Sequence, residues 1–117
     1  MIAMSIRSFE DIHAWKRAEE LSLLVYSILN ENRDYRYKVQ MQSASVSVMN
    51  NIAEGFERQS NKEFVRFLYI AKGSCGEVRS MSHLGVKLKY LSEADYRKIE
   101  SSAREISRML FGLIKTL

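Results

Sequence analysis

The sequence predicts an all-α protein that folds as an up-down-up-down, left-handed antiparallel four-helix bundle. Its 117 residues contain no proline and only five glycines, so the turn residues that a sheet needs are scarce. Apolar residues make up 46% of the chain and recur at spacings of three and four in four stretches. Short polar links separate these stretches and favour antiparallel neighbours. We expect one domain spanning residues 1–117.

The first helix is expected at about residues 9–31. Ser8 is the predicted N-cap, and Glu10 and Asp11 lie in the first turn, where the helix dipole favours carboxylates. One predicted apolar face consists of Trp15, Ala18, Ser22, Val25 and Leu29, with a second stripe of Leu21, Leu24 and Ile28.

The second helix is expected at about residues 35–58, with Gly55 as a candidate stop signal. Tyr37, Met41, Ala44, Val48 and Asn51 form one line, and Val46, Met49, Ala53 and Phe56 form another. Ser43 and Ser47 lie between these lines. Small hydroxyl residues at helical spacing favour a close approach of another helix, with ligand binding as the alternative.

The third helix is expected at about residues 61–90, opened by a capping box of Ser60 and Glu63. It carries two heptad lines, here called the first seam (Phe64, Leu68, Ala71, Cys75, Val78, Ser82, Gly85) and the second seam (Phe67, Ile70, Ser74, Met81, Leu84, Leu88, Leu91). Two seams exceed what burial on one side requires, so this helix predicts an oligomer.

Small residues from Ala71 to Gly76 interrupt the third helix at its middle. Because each glycine costs helix propensity, we expect a neighbouring backbone to pack closely there, with Ser43, Ala44 and Ser47 as candidates. A phosphate cradle is the alternative, but such sites lie at helix N-termini, where backbone amides are free.

The fourth helix is expected at about residues 92–116, with a capping box of Ser92 and Asp95. Its apolar seam is the most regular of the chain and consists of Ile99, Ala103, Ile106, Leu110, Leu113 and Leu117. Phe111 and Ile114 add a second apolar strip near the C-terminus.

Several functional classes find little support. Cys75 is the only cysteine, so an internal disulfide is impossible and a reducing compartment is expected. The first eight residues lack the apolar core of a signal peptide, and no apolar run approaches the ~20 residues of a membrane span. We therefore expect a cytoplasmic protein that does not engage a membrane.

Catalytic and metal-binding patterns are also lacking. His13 and His83 have no ligand partners at suitable spacing, and Glu19 and Glu20 point in different directions on a helix. No nucleophile, nucleotide-binding or dinucleotide motif is recognisable. We expect no enzymatic activity, no cofactor and no metal.

Three polar residues stand out beside the apolar seams. Glu77 interrupts the second seam, and Glu54 follows Asn50 and Asn51 at the end of the second helix. A carboxylate partly buried at such a position needs a partner. Asn51, Glu54 and Glu77 are therefore interpreted as a buried polar network that fixes helix register, with a role in binding as the alternative.

The net charge of +4 and a pI of about 9.3 permit an acidic partner without requiring one. One basic stripe follows the fourth helix, although Glu93 and Glu100 stand four residues before two of its arginines. The candidate nucleic-acid-binding residues are Arg33, Arg36, Lys38, Lys62, Arg66, Arg97, Arg104, Arg108 and Lys115. A looser basic set on the third helix also includes Lys72 and Arg79. An ordinary solvated face is the alternative.

A resemblance to a known family rests on the run Asn51-Ile52-Ala53-Glu54-Gly55 and on the residues after it. The pattern continues through Arg58, Ser60, Lys62-Glu63-Phe64, Phe67-Leu68, Ile70-Ala71, Gly73-Ser74 and Glu77, with further matches at Trp15, Ala18, Arg108-Met109-Leu110 and Gly112-Leu113-Ile114. It resembles the bacterial four-helix bundle proteins, whose founding members are encoded inside intervening sequences of large-subunit ribosomal RNA genes. The match covers nearly the whole chain.

The resemblance implies a homopentameric, barrel-like assembly of four-helix bundles, similar to the accessory variability determinant of diversity-generating retroelements. That relative is basic and binds nucleic acid and a reverse transcriptase, which are therefore implied as candidate partners. Many family members carry a basic pair after the glutamine that opens the helix-two motif, where this chain has Met41 and Gln42 after Gln40.

The leading hypothesis is a non-enzymatic, oligomeric accessory protein that contacts RNA or DNA phosphates through lysines and arginines. The first alternative is a protein-interaction scaffold that does not bind nucleic acid. The second is a small-molecule or metal site around Glu54 and Glu77.

Overall fold

The apolar spacing of the sequence becomes four α-helices in the computed structural model, which describes residues 6–117. They are α1 (His13–Ile28), α2 (Tyr35–Glu57), α3 (Asn61–Lys87) and α4 (Glu93–Ile114), and a 3-10 helix at Phe9–Asp11 precedes α1. Within residues 6–117 no helix is both long and apolar enough to cross a membrane. The expectation about a signal peptide falls largely on residues 1–5, outside the described range.

The four helices pack side by side in a ring, as predicted for a four-helix bundle. Contacts join α1 to α2, α2 to α3, α3 to α4 and α4 to α1, whereas the diagonal pairs of these described helices have no Cα atoms within 8 Å of each other. Gln40 lies against Glu77 and Ser47 against Ser74, so residue numbers rise along α2 as they fall along α3. Adjacent helices α2 and α3 are therefore antiparallel, in a bundle measuring 45 × 21 × 19 Å.

The core lies along the bundle axis and contains the predicted seams. Every residue of the first seam of α3 is buried, and so are the α4 seam residues from Ile99 to Leu113. The largest fully buried side chains from all four helices and the α1–α2 connection are Leu21, Val25, Leu29, Met41, Val48, Ile52, Leu68, Cys75, Val78, Ile99, Ile106 and Leu110. Burial of this apolar surface is the main force that holds the helices together.

The N-terminal end of the first helix differs from the prediction. Only residues Phe9–Asp11 form a 3-10 turn, because Ile12 adopts an extended conformation (φ −80°, ψ 120°) and α1 begins at His13. The Asp11 carboxylate accepts hydrogen bonds from the backbone N–H groups of Arg7 and Ser8, which stabilises this turn. At its other end α1 stops at Ile28, three residues before the predicted end.

The predicted N-caps of α3 and α4 are confirmed. Ser60 Oγ accepts from the Glu63 backbone N–H at 3.3 Å, and Ser92 Oγ accepts from that of Asp95 at 3.0 Å. The Glu63 carboxylate lies near Arg58 and Arg66, at 3.8 and 3.4 Å.

The predicted helix stop at Gly55 was wrong. Helix α2 continues to Glu57, and the turn after it is made by Gln59, whose φ is 58°. Gly55 is buried against α3, where a Cβ atom would lie 2.6 Å from the Cβ of Phe67. Its absent side chain therefore allows α2 and α3 to approach closely.

The small residues in the middle of α3 do not all serve the predicted close contact. Ser74 shares a 2.8 Å hydrogen bond with Ser47 of α2, as expected for close helices. Gly73 and Gly76 instead face open space, since a Cβ atom at either position would meet nothing within 4 Å, so their predicted tight packing was wrong within this chain. Ser43 is exposed.

The α1–α2 and α3–α4 connections meet at one end of the bundle. Tyr90 donates its hydroxyl to the Asp34 carboxylate at 2.7 Å, and the same carboxylate accepts from the Tyr37 backbone N–H at 3.2 Å as the N-cap of α2. The Tyr90 hydrogen bond holds the pKa of Asp34 below its usual value and raises that of Tyr90. Beyond α3, Lys89 turns the chain with a φ of 65°.

Candidate nucleic-acid interface

Helix α4 presents its basic stripe to the outside because its apolar seam faces the core. The stripe lies on the side of the helix opposite the seam. Its four residues, all exposed, are Arg97, Arg104, Arg108 and Lys115. This placement matches what a surface that contacts phosphates requires. Salt bridges, however, divide the stripe into two unlike halves.

The half nearer the start of α4 is largely neutralised by carboxylates. Glu100 binds Arg104 at 2.7 Å and Arg79 of α3 at 3.1 Å, and Glu93 lies 3.5 Å from Arg97. The hydrogen bond from Arg104, followed by that from Arg79, holds the pKa of Glu100 below its usual value despite partial burial. Arg104 is therefore engaged within the protein and is a weaker candidate for phosphate contact.

The half nearer the end of α4 carries cations that form no ion pair among residues 6–117. These are Arg108 and Lys115, joined by Lys72 from α3. The Lys115 ammonium lies 5.1 Å and the Lys72 ammonium 6.0 Å from the ring centroid of Phe111, and Arg108 stands three residues before Phe111 on α4. We call Lys72, Arg108, Phe111 and Lys115 the Phe111 patch.

Phe111 was not among the predicted site residues, and Lys72 was placed only in the looser basic set of the third helix. Phe111 was assigned with Ile114 to an apolar strip, yet Ile114 is buried and Phe111 is 44% exposed. A signal existed in the spacing, because Phe111 stands three residues after Arg108 and four before Lys115 on the exposed stripe. Lys72 approaches from another helix, so its place beside the ring required the packing of α3 on α4.

A second group of basic residues lies around the start of α3. Arg66 lies 3.4 Å from Glu63 and 5.3 Å from the Phe67 ring centroid, and Arg58 stacks on the same ring at 4.9 Å while binding Glu54. Lys62 is exposed. Arg58 and Arg66 are thus paired with carboxylates, unlike the cations of the Phe111 patch.

The basic residues around the start of α2 form a separate group. Arg33 and Arg36 are exposed, and Lys38 donates its ammonium to the Asn30 carbonyl at 2.8 Å. They lie at the end of the bundle where Tyr90 meets Asp34, whereas Lys115 lies at the opposite end of α4. The nine predicted residues therefore occupy several surfaces instead of one.

The three residues of the predicted polar network do not hydrogen-bond to one another in the described chain. Asn51 donates to the carbonyl and hydroxyl of Ser47, Glu54 pairs with Arg58, and Glu77 accepts from Gln40 at 2.7 Å. Both carboxylates are exposed in the single chain, so the expectation of buried ones was wrong. Ser47, Asn51 and Ser74 form the hydrogen-bonded group between α2 and α3.

His83 and Cys75, two residues of types that often act in catalysis, are held by hydrogen bonding and by burial, respectively. His83 shares a 3.2 Å hydrogen bond with Tyr96, and burial raises the pKa of the Cys75 thiol to about 12. The thiol is therefore protonated at neutral pH and is a poor nucleophile. Residues 6–117 contain no group of three or more histidine, cysteine or carboxylate side chains placed to hold a metal ion.

Comparison with known proteins assigns the chain to a family. The family model of the 23S rRNA-intervening sequence proteins matches residues 10–112. The chain belongs to this family. A solved structure from Bacteroides thetaiotaomicron, described as a protein of unknown function from the S23 ribosomal protein family, is 24% identical and superposes with a TM-score of 0.81. The similarity covers 87% of this chain and 98% of that one.

The resemblance noted in the sequence is thus confirmed, and so is the fold class. At 24% identity the Bacteroides protein supports the shared fold of this intervening sequence protein and no more. Neither description names an enzymatic activity. No curated protein matches the chain.

Proposed function

We propose that this intervening sequence protein is a non-enzymatic, cytoplasmic accessory protein that works as a homo-oligomer and contacts nucleic-acid phosphates. The observation that carries the proposal is the Phe111 patch, with three cations from two helices and no ion pair to any of them within residues 6–117. Charges left unpaired on an outer face are available to phosphates without first breaking a salt bridge.

The number of free cations sets the expected salt dependence. Each phosphate neutralised by a lysine or arginine releases condensed counterions, with a slope of about −0.7 per contact on single strands and −0.9 on duplexes. Three contacts per chain therefore correspond to a slope of about −2 to −3 in a plot of log affinity against log salt concentration. Affinity should fall steeply between low and physiological salt.

A filter-binding titration tests this function. We expect the wild-type protein to bind RNA near 50 mM salt, a condition where phosphate contacts dominate, and to lose affinity as salt rises. Arg108→Gln should weaken binding and reduce the size of the slope by about 0.7 to 0.9. Lys16→Gln, which removes one exposed charge from α1, is the matched control. Absence of binding at low salt, or binding that ignores salt, would overturn the proposal.

The second seam of α3 supports the oligomer and the alternative function of a protein scaffold. Ile70, Leu84 and Leu88 are 41%, 47% and 45% exposed, and Gly73 beside them faces open space. Glu77, which interrupts this seam, bonds to α2, while Lys72 reaches α4. The apolar seam and the Phe111 patch therefore occupy different sides of α3. Five copies is the number implied by the family resemblance.

A further inference from the structure

Phe111 occupies a position that the core of the bundle does not use. Its ring is 44% exposed, whereas Leu110 and Leu113 beside it in the chain are buried. Phe111 is also not one of the partly buried apolar residues that pack against the core. Core packing therefore does not account for a large aromatic ring here.

Two ammonium groups from different parts of the chain flank the Phe111 ring. The ammonium groups of Lys115 and Lys72 lie 5.1 and 6.0 Å from its centroid, within the range of a cation–π interaction, and Arg108 stands one turn earlier on α4. An exposed ring with flanking cations is the combination by which proteins hold unpaired nucleotides. The cations attract the phosphates, and the ring offers a flat apolar face to a base.

We infer, resting on the proposed nucleic-acid function, that Phe111 is a stacking platform for an unpaired base in single-stranded nucleic acid. Lys72, Arg108 and Lys115 bind the phosphates on either side of that base. The ligand is a single strand or a loop, because the bases of a duplex are stacked on one another and cannot reach the ring.

The lysines do not block this platform. Their ammonium groups sit on flexible four-carbon stems, and an exposed cation–π contact is weaker than the stacking of a base on an aromatic ring. When a phosphate arrives, the ammonium turns from the ring to the phosphate oxygen, and the base takes its place over the ring. Lys72 and Lys115 therefore cover the ring in the free protein and bind phosphates in the complex.

A protein partner fits this patch less well than a nucleic acid does. The centre of a protein interface is depleted in charged residues, and lysine is among the residues it disfavours most. Burying Phe111 against a protein would also bury Lys72 and Lys115 beside it. A polyanion instead neutralises both lysines as it covers the ring.

Binding of a short single-stranded oligothymidine to Phe111→Leu tests the inference. Leucine keeps an apolar side chain but removes the aromatic face, so we expect roughly tenfold weaker binding with an unchanged salt slope. Lys115→Gln should instead reduce the size of the slope by about 0.7, since it removes one phosphate contact. Tyr26→Leu is the matched control, because Tyr26 on α1 is an aromatic residue of similar exposure, 47%. We expect its affinity to equal that of the wild type.

A spectroscopic measurement detects the stacking directly. Phe111→Trp keeps an aromatic face, so we expect binding comparable to that of the wild type together with quenching of tryptophan fluorescence as the strand is added. The wild-type protein, in which Trp15 is the only tryptophan, supplies the baseline. Circular dichroism and thermal melting of each variant confirm that it folds.

The outcomes separate this inference from the function on which it rests. If the wild type binds neither single strands nor duplexes at low salt, the proposed function and the stacking platform both fail. If it binds with the expected salt slope but Phe111→Leu binds equally well, or duplex binds as tightly as single strand, only the platform fails. Loss of oligomeric mass in Phe111→Leu with unchanged affinity would also overturn it and would place the ring in a protein interface.

Discussion

Glu100 determines which arginines near the α3–α4 contact are available to a ligand. Its side chain is only 15% exposed and holds Arg79 and Arg104 at once, so one carboxylate engages two cations. Hydrogen bonds to a charged acceptor that is partly shielded from water are stronger than those of exposed ion pairs. Glu100 therefore joins α3 to α4 and concentrates the free positive charge at the other end of the stripe.

Glu100→Gln tests this contribution through its pH dependence. The pKa of Glu100 in the folded protein is lower than the ordinary 4.5, so the ionised carboxylate stabilises the fold fully above pH 4.5. We expect the variant to be about 1 kcal/mol less stable at pH 7. The difference should shrink as the pH falls below 4.5 and the wild-type carboxyl takes up its proton.

Urea denaturation at several pH values measures this difference. Glu93→Gln is the control. Both side chains of the Glu93–Arg97 pair are exposed, so the pair should contribute little to the free energy of unfolding at any pH. A stability gap of the same size at pH 7 and at pH 3 would contradict the assignment to Glu100 ionisation.

Individual contacts of this kind were only partly predictable from the sequence. The pairing of Glu100 with Arg104 follows from their spacing of four on one helix. The bond to Arg79 links residues 21 apart on different helices, and the spacing gave no sign of it. Glu77 was wrongly expected to be buried. Its heptad position places it beside the apolar face of α3, but the sequence does not show how wide the buried part of that face is.

At the scale of elements, glycines determine how closely the helices approach one another. A Cβ atom at Gly85 would meet the hydroxyl of Tyr37 and the side chain of Leu91, whereas one at Gly76 would meet nothing within 4 Å. Tyr37 cannot move aside freely, because its hydroxyl donates to the Met81 carbonyl at 2.7 Å. Gly85 and Gly76 of α3 therefore have opposite roles.

Alanine substitutions at these two positions should have opposite effects. We expect Gly85→Ala to destabilise the fold by about 1–3 kcal/mol, since the added methyl group overpacks the contact with Tyr37 and Leu91. Gly76→Ala should stabilise it by up to about 1 kcal/mol, since alanine favours the helix and the site is open. Urea denaturation followed by circular dichroism measures both, and equal effects of the two substitutions would contradict this account.

The elements themselves were largely predictable. The first α3 seam and the buried part of the α4 seam were identified because a helix repeats every 3.6 residues and burial on one side leaves that period in the sequence. The ends were less accurate, because they depend on single backbone torsions such as those of Ile12 and Lys89. The left-handed twist of the bundle stays a prediction of the heptad pattern.

At the scale of the whole molecule, α3 separates two surfaces of different chemistry. Toward α2 it exposes the apolar residues Ile70, Leu84 and Leu88, and toward α4 it contributes Lys72 to the Phe111 patch. The sequence predicted the first surface as a second seam and the cations of α4 as a stripe. The Phe111 patch could not be predicted from the sequence, because the pairing of charges across helices depends on how α3 and α4 align.

Light scattering at micromolar concentration tests the apolar surface as an oligomer interface. We expect a wild-type mass that is a multiple of 13.6 kDa, with five copies as the number implied by the family resemblance. Leu84→Glu should lower that mass, because it would bury a carboxylate without a partner in the interface. Lys16→Gln on α1, which removes no apolar side chain, should leave it unchanged. A wild-type mass near 13.6 kDa would contradict the proposed oligomer.

The hydrogen bond between Tyr90 and Asp34 couples the local opening of the two connections that it joins. It joins two connections whose residues are 56 positions apart in the chain, and the same carboxylate caps α2. Fraying of one connection therefore removes a restraint from the other, so we expect the two connections to open together. In hydrogen exchange, amides near Asp34 and Tyr90 would share a single protection factor, although neither segment follows the other in sequence.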